Sequence, residues 1–128
     1  MDKKEFITKC DNLKTFDSGA KIDDNTGKGA YELISPFALR RLAKVYERGA
    51  KQKGPRNWEN GIDFGRCLQS AMRHCNQVLM GMNDEDHLAQ ACWNLFAIMH
   101  YQELIERGIL PPTLNNLPNY KPKGKIKK

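Results

Sequence analysis

The sequence lacks any hydrophobic run long enough to cross a membrane. No segment of the 128-residue chain approaches the roughly 18 consecutive apolar residues that a transmembrane helix needs. The opening residues, from Met1 to Glu5, are also too charged to lead into the apolar region of a secretory signal. We therefore expect a cytoplasmic protein with no membrane partner.

The sequence also lacks the cysteine spacing of zinc and redox motifs. Its four cysteines, Cys10, Cys67, Cys75 and Cys92, are widely spaced, and no Cys-x-x-Cys pair occurs. The last three fall on apolar faces of expected helices, where a free thiol behaves as a small hydrophobic side chain. This pattern favours reduced, buried thiols over a disulfide framework or a zinc site.

Strand-like alternation, internal repeats and a glycine-rich phosphate loop are absent as well. Helical periodicity is present instead, and it predicts three main helices. The first begins at Ser35, an N-cap hydroxyl, with Pro36 in the first helical position. Gly49 is the residue type that ends a helix, so this helix is expected over residues 35–49.

Two further helices are expected after a loop that follows the first. The second is expected over residues 63–80, with an aspartate as its N-cap. The third is expected to have Asn83 or Asp84 as its N-cap and to carry Glu85 and Asp86 in its first turn, where the helix dipole favours negative charge. The short link between these two helices predicts that they pack as antiparallel neighbours.

These elements predict an all-α fold, a small bundle of three to four helices completed by oligomerisation. Residues 1–30 form a polar N-terminal segment that could hold a short helix over Glu5–Leu13. Residues 31–112 form the helical domain. Residues 113–128 are expected to be a disordered basic tail.

Most of the net charge of +6 lies in that tail. The last eight residues carry five lysines and no acid, so five of the six net positive charges belong to them. Such a segment has almost nothing to bury and is typical of a solvated appendage. We therefore expect nucleic acid to bind only weakly, through the tail.

Polar residues on the second and third helices form the first candidate site. Antiparallel packing would bring Arg73 and His74 close to Asp86 and His87. An arginine offers a fork for phosphate oxygens, and a histidine can transfer protons near neutral pH. Glu85 or Asp86 could hold Mg²⁺. In the alternative reading the acids merely favour a helix start and the histidines are interface residues with satisfied hydrogen bonds.

The loop between the first two helices is the second candidate. Trp58 stands beside Arg56 and Asn57, and an aromatic face can stack on any nucleobase while its neighbours bind the base edge or the phosphates. A tryptophan at this place can equally be the lid of a core. The two readings remain open at the level of sequence.

The complete set of predicted site residues combines both regions. A small molecule with phosphate groups is the expected ligand. The residues expected in catalysis are His74, His87 and Asp86. The residues expected to hold Mg²⁺ are Glu85 and Asp86. The residues expected to bind the nucleotide are Lys51, Arg56, Asn57, Trp58, Arg73, Gln90 and Asn94.

About two-thirds of the chain resembles a known family. The resemblance is carried by four short motifs at characteristic spacings: Gly-Ala-Lys (49–51), Arg-Asn-Trp (56–58), Arg-His (73–74) and Asp-His-Leu-Ala (86–89). Together they resemble the N-terminal domain family of phage dATP/dGTP diphosphohydrolases, relatives of the MazG-like all-α nucleotide pyrophosphohydrolases. The resemblance implies a helical fold, a phage origin with a place in the host cytoplasm, and a purine nucleotide or related phosphate-bearing small molecule as ligand. It also implies Mg²⁺-dependent hydrolysis of dATP or dGTP to the monophosphate and pyrophosphate.

The sequence departs from MazG-like enzymes in its carboxylates. Those enzymes place Mg²⁺ on Glu-x-x-Glu followed later by Glu-x-x-Asp, whereas the only Glu-x-x-Glu here is Glu103–Glu106. Two alternatives to an enzyme therefore remain. The protein could sequester a nucleotide or a host defence signal without turning it over. It could also be a protein-interaction module that inhibits a host factor, with the basic tail guiding the encounter.

Overall fold

The structure is a computed structural model that describes residues 12–122 and residue 124. It divides the chain into two compact units, with the division between Ile34 and Ser35. The sequence placed the corresponding boundary after residue 30. All α-helices in the described part of the chain lie in the second unit.

A small antiparallel hairpin forms the regular part of the first unit. Strand β1 spans Leu13–Thr15 and strand β2 spans Lys21–Asp23, with Lys14 opposite Ile22. In the turn between them Gly19 has a φ of 87°, a left-handed conformation that glycine adopts without a steric penalty. The strands have three residues each, too few to show alternation in the sequence.

The hairpin occupies part of the segment where the sequence suggested a short helix. Of the predicted helix over Glu5–Leu13, residues up to 11 lie outside the described residues, and Leu13 itself begins β1. A single 3-10 turn, Tyr31–Leu33, follows later in this unit.

The second unit is helical, which confirms the predicted all-α class. Helix α1 spans Pro36–Lys53, helix α2 spans Phe64–Leu79, and helix α3 spans His87–Glu106. One short 3-10 turn, Asn57–Asn60, lies between α1 and α2, and another, Pro112–Leu114, follows α3. Within the described residues no helix is both long and apolar enough to span a membrane.

Helix α1 begins as its sequence indicates but ends one turn later. The Ser35 hydroxyl accepts a hydrogen bond from the Ala38 amide at 3.1 Å, and a proline follows the cap. The helix passes through Gly49 because good helix formers follow that glycine. It stops at Gly54, whose φ of 101° is incompatible with a helix.

Helix α3 begins later than its sequence indicates. Asp86 is the N-cap, since its Oδ1 accepts a hydrogen bond from the Ala89 amide at 3.1 Å. The predicted cap at Asn83 or Asp84 is therefore wrong. Because the cap lies further along the chain, Glu85 and Asp86 precede the first turn instead of lying inside it.

Helices α2 and α3 pack antiparallel around the centre of the core. His74, late in α2, meets His87 at the start of α3, and Phe64, early in α2, stacks on Tyr101 late in α3. The buried cluster at the far end consists of Phe64, Cys67, Ala97 and Tyr101. This arrangement is the antiparallel packing that the short link predicts.

Helix α1 and the segment after α3 complete the unit. Tyr46 of α1 packs against Trp93 of α3 with ring centroids 6.0 Å apart. After the last helix, the Leu114 side chain packs beside Gly61, and the Asn116 Oδ1 accepts a hydrogen bond from the Gly65 amide at 2.8 Å. Leu114 and Asn116 thus contact the helical unit although they lie in the predicted tail.

The cysteines of the helical unit are free thiols, as expected, but only one is buried. Cys67 lies in the core, and burial raises the pKa of its thiol. Cys75 and Cys92 are exposed, so the prediction that they are buried is wrong. Their helix faces are apolar, but no described element covers them.

Candidate functional site

The N-cap of α3 is held by an arginine from α1. Asp86 accepts hydrogen bonds from Arg41 Nε at 2.8 Å and from Arg41 Nη2 at 2.7 Å, while it also caps the helix. The hydrogen bonds from Arg41 lower the pKa of Asp86 to about 2. Both oxygens are engaged, so the predicted metal-binding and catalytic roles of Asp86 would each require breaking this pair.

Glu85 extends the ion-pair network to a second arginine. Its Oε1 lies 3.6 Å from Arg48 Nη1 and accepts a hydrogen bond from Gln90 Nε2 at 3.2 Å. Arg41, Arg48 and Gln90 also line an open groove of about 240 Å³ between α1 and the start of α3. The network therefore connects the acidic start of α3 to a basic surface on α1.

This groove continues along α1 towards its N-terminus. A second opening of about 290 Å³ shares Arg41 and Lys44 with the first. We call the two together the α1 groove, and its lining residues are Phe37, Arg40, Arg41, Lys44, Val45, Arg48, Asp86 and Gln90.

The α1 groove carries more positive than negative charge. Arg41 pairs with Asp86 and Arg48 approaches Glu85, so these charges partly cancel. Arg40 and Lys44 have no ion-pair partner among residues 12–122. A groove with two uncompensated cations attracts anionic groups such as phosphates.

Two histidines and an aspartate form a chain of hydrogen bonds beside the groove. His74 Nδ1 lies 2.9 Å from His87 Nδ1, and both rings are buried. His87 Nε2 lies 2.8 Å from Asp84 Oδ1. A carboxylate only accepts, so Nε2 of His87 carries the proton, and in the neutral pair His87 Nδ1 accepts from His74 Nδ1.

Two members of this hydrogen-bonded chain, His74 and Asp84, have lowered pKa values. Burial, followed by the nearby charges of Arg73 and His87, lowers the pKa of His74. The hydrogen bond from His87 lowers the pKa of Asp84. The two facing Nδ1 atoms share one proton, which leaves Nε2 of His74 as the remaining proton acceptor of the neutral pair.

Three side chains at the start of α3 offer ligand atoms that could surround a cation. One atom each from Asp84, Glu85 and His87 lies within 4.8 Å of the others. Mg²⁺ prefers oxygen and is often bound through one or two carboxylates plus substrate phosphates. Asp84 and Glu85 are exposed and fit that requirement, whereas His87 is placed to orient Asp84. The donor set thus fits Mg²⁺ through Asp84 and Glu85, while Asp86, the other acid predicted to hold Mg²⁺, is paired with Arg41.

Two other predicted residues lie near this cluster with smaller parts in it. Arg73 is exposed and acts on His74 through its charge. Asn94 is buried, and its Nδ2 donates to the Gln90 carbonyl at 2.9 Å, a local bond along α3. Asn94 therefore has a mainly structural environment.

Trp58 lies in a separate, aromatic cluster. Its ring packs edge-on against Tyr46 and Trp93 and lies 4.6 Å from the ring of His100, centroid to centroid. The Tyr101 hydroxyl donates to its carbonyl oxygen. A cleft of about 80 Å³ opens beside it, lined also by Asn57, well below the roughly 300 Å³ of typical ligand pockets. This geometry favours the reading of Trp58 as a core lid.

The remaining predicted residues are not drawn into the cluster at the start of α3. Arg56 pairs with Glu59 within its own turn. Lys51 lies 3.8 Å from Glu47, one helical turn earlier in α1. Both side chains are exposed.

The sequence reasoning missed the cations of α1 and the aspartate that completes the histidine chain. Arg41, Lys44 and Arg48 recur at intervals of three and four residues, which places them on one helix face at about 100° per residue. That periodicity was readable in the sequence. The proximity of Arg41 to Asp86 and of Arg48 to Glu85 was not, because it depends on how α1 packs against α3.

The fold and this site define a small all-α protein with a basic groove beside an acidic helix start. The chain matches the family model described as dATP/dGTP diphosphohydrolase, N-terminal, over residues 18–107. Because the match covers more than half of the 128 residues, the chain belongs to this family. No curated protein and no solved structure matches the chain.

Proposed function

We propose that the protein binds a purine deoxynucleoside triphosphate with its phosphates in the α1 groove and hydrolyses it to the monophosphate and pyrophosphate. The observation that carries this proposal is that Arg48 of the α1 groove approaches the exposed carboxylate of Glu85, which has an oxygen within 4.8 Å of an oxygen of exposed Asp84. The family name, dATP/dGTP diphosphohydrolase, supports the choice of substrate.

The cations of α1 are the phosphate-binding groups in this proposal. Lys44 and Arg40 are available without breaking an ion pair, and Arg48 is held only loosely by Glu85 at 3.6 Å. Arginine binds phosphate oxygens through two parallel N–H groups, and lysine acts as a compact point charge. A triphosphate lying along α1 would thus meet successive cations one turn apart.

Asp84 and Glu85 are the carboxylates that would hold Mg²⁺ next to those phosphates. When bound, the metal neutralises charge that develops on the phosphate oxygens. The Nε2–H of His87 holds one Asp84 oxygen in place, and Gln90 does the same for Glu85. The start of α3 is therefore preorganised by neighbouring side chains.

Hydrolysis requires an acceptor for the proton of the attacking water. The water oxygen bonds to the α-phosphorus while the bond from that phosphorus to the α,β-bridging oxygen breaks, and pyrophosphate leaves with the bridging oxygen. Nε2 of His74 is the free acceptor of the histidine pair, and its lowered pKa keeps it unprotonated near neutral pH. We assign His74 and His87 to this proton transfer.

A second candidate function is nucleotide binding without turnover. The observation that favours it is the engagement of Asp86 by Arg41, which leaves Asp84 and Glu85 as the exposed acids of the cluster. Phosphoanhydride hydrolysis normally uses several carboxylates. The α1 groove would bind the phosphates in the same way in either case.

The test is a thermal-shift screen against dATP, dGTP, their monophosphates and cyclic nucleotides, each with and without Mg²⁺, followed by chromatography of every stabilising ligand. Release of monophosphate and pyrophosphate in the presence of Mg²⁺ is the expected result. Recovery of intact ligand would support the binder. If no nucleotide raised the melting temperature, both functions would be rejected.

A pair of lysine variants of the same helix locates the binding. Lys44→Ala removes a cation of the α1 groove and should reduce the shift caused by dATP or dGTP. Lys53→Ala removes a cation beside Trp58 and should leave the shift unchanged. The opposite pattern would move the phosphates to the aromatic cleft.

A further inference from the structure

The α2–α3 hairpin exposes a broad apolar face. We call it the hairpin face, and it comprises Leu68, Met72, Cys75 and Leu79 of α2 with Leu88, Cys92, Leu95 and Met99 of α3. Leu68 is half-buried and the others are exposed, with Leu79 at 86% and Met72 at 70%. A soluble monomer rarely presents so many large apolar side chains together.

The four residues that each helix contributes to the hairpin face form a stripe along that helix, and the two stripes lie on the same side of the hairpin. In α2 the residues that meet α3 centre on Cys67 and Ala71, and the exposed stripe is rotated from them by about 90° at 100° per residue. In α3 the stripe is rotated in the same sense but further, by about 110° from His87 and about 150° from Tyr101, the residues that meet α2. Because the helices are antiparallel, these rotations point to one common side.

That side of α3 is the part of its surface left without a helix. Apart from polar residues such as His87, Gln90 and Asn94, the side chains around α3 are mostly apolar, a pattern typical of a helix with neighbours on several sides. Helix α2 covers one side, and α1 covers another through Trp93 and Tyr46. The stripe from Leu88 to Met99 faces away from both helices, and no described element lies over it.

The spacing and extent of the hairpin face fit a second copy of the chain. Both stripes repeat at intervals of four, three and four residues, the seam that packs helices side by side in bundles. With exposures of this size, the face amounts to about 800 Å², the area that each partner of a standard interface buries. We propose that two copies pair through this face about a two-fold axis, forming a four-helix core from two α2–α3 hairpins.

The pairing would leave the nucleotide site open. The α1 groove lies where α1 meets the start of α3, on the side of α3 opposite the hairpin face. Assembly and nucleotide binding are therefore separable, and failure of one proposal does not imply failure of the other.

The first test is the mass of the full chain in solution by light scattering after size exclusion, over a range of micromolar concentrations. We expect twice the chain mass of 14.7 kDa. Met72→Glu and Leu88→Glu each place a charge in the apolar seam and should give the monomer mass with unchanged helical circular dichroism. Phe37→Glu changes an equally apolar residue of α1, 79% exposed and away from the face, and should remain a dimer.

A wild-type chain that is monomeric at every concentration would overturn the proposal, as would a dimer that survives both glutamate substitutions. A second measurement uses the wild-type chain, so it does not depend on whether the glutamate variants fold. Alkylation of Cys75 and Cys92, followed by mass spectrometry, should be slow in the concentrated wild type and fast on dilution. Rapid labelling of both thiols at high concentration would also overturn it.

Discussion

The two ends of α3 differ in what they contribute to the molecule. At its start, charged and imidazole groups converge from all three helices, and most of them remain exposed. Near its end, Phe64, Cys67, Ala97 and Tyr101 are packed almost without exposure. One helix thus carries a polar end suited to a ligand and an aromatic end that holds the fold.

This division has a physical basis. Exposed ion pairs such as Arg41–Asp86 add little to stability, since water screens them. Buried aromatic rings contribute several times more per side chain. We therefore expect changes at the aromatic end to unfold the protein and changes at the polar end to weaken ligand binding.

The largest effect is expected from Phe64→Ala at the aromatic end. Removing this buried ring leaves a cavity against Tyr101 and should lower the free energy of unfolding by about 3–5 kcal/mol. Phe37→Ala, at an exposed ring of α1, should change it by less than about 0.5 kcal/mol. Urea denaturation measures both. Equal losses of unfolding free energy in the two variants would contradict the assignment of Phe64 to the core and of Phe37 to the surface.

Arg48→Ala should show the opposite pattern at the polar end. Loss of one charge-assisted phosphate contact, worth about 1.5–3 kcal/mol, should weaken dATP or dGTP binding roughly 10- to 100-fold. The melting temperature without nucleotide should barely change, because the side chain is half-exposed. Titration calorimetry gives the affinity. Arg73→Ala, at the arginine that the sequence favoured, is the comparison variant and should lose less affinity.

Tyr101→Phe tests whether the aromatic end acts only through the fold. The substitution removes the hydrogen bond to the Trp58 carbonyl and should cost about 1 kcal/mol of stability, while the ring remains. Nucleotide affinity should stay the same. A marked loss of affinity in a folded variant would instead assign the Trp58 cleft to the ligand.

The sequence predicted the antiparallel hairpin and the meeting of His74 with His87, because periodicity and the short link determine both. It did not predict the Arg41–Asp86 pair. That contact joins residues 45 positions apart and depends on the docking of α1, which no local pattern encodes. The same docking places Arg41 on Asp86, one of the two acids predicted to hold Mg²⁺, and leaves Asp84 and Glu85 exposed.

Helix ends show the same limit on a smaller scale. Gly49 has the residue type of a helix stop, yet α1 continues to Gly54, where Pro55 follows. Asn83, Asp84 and Asp86 all have side chains that can cap a helix, and only the structure selects Asp86. Local signals therefore identified the helices but not which of several competing residues ends or begins them.

The smallest expected effect concerns the pH dependence of stability at the polar end. The pKa of His74 is lowered from 6.5, so the unfolded chain binds its proton more readily than the folded chain does. The contribution of His74 to stability should be fully present above pH 6.5. It should decline as the pH falls below 6.5 towards the lowered pKa of His74 in the folded chain. Melting curves between pH 7.5 and 5 measure this decline. His74→Gln should flatten it, and an unchanged decline would place its origin elsewhere.

Asp86 contributes to the pH dependence of stability in a different pH range. Its pKa drops from 3.8 to about 2, so the stability it contributes is lost only below pH 3.8. The two contributions can therefore be separated in one pH series.

The most direct test of whether the nucleotide binds at the start of α3 is a nuclear magnetic resonance titration of the ¹⁵N-labelled protein with dATP or dGTP and Mg²⁺. Binding at the polar end predicts that the largest shift changes occur at residues 41–48 and 84–90, with the indole signals of Trp58 and Trp93 nearly unmoved. Changes centred on those two indoles, or no changes at saturating nucleotide, would contradict the assignment of the ligand to the start of α3.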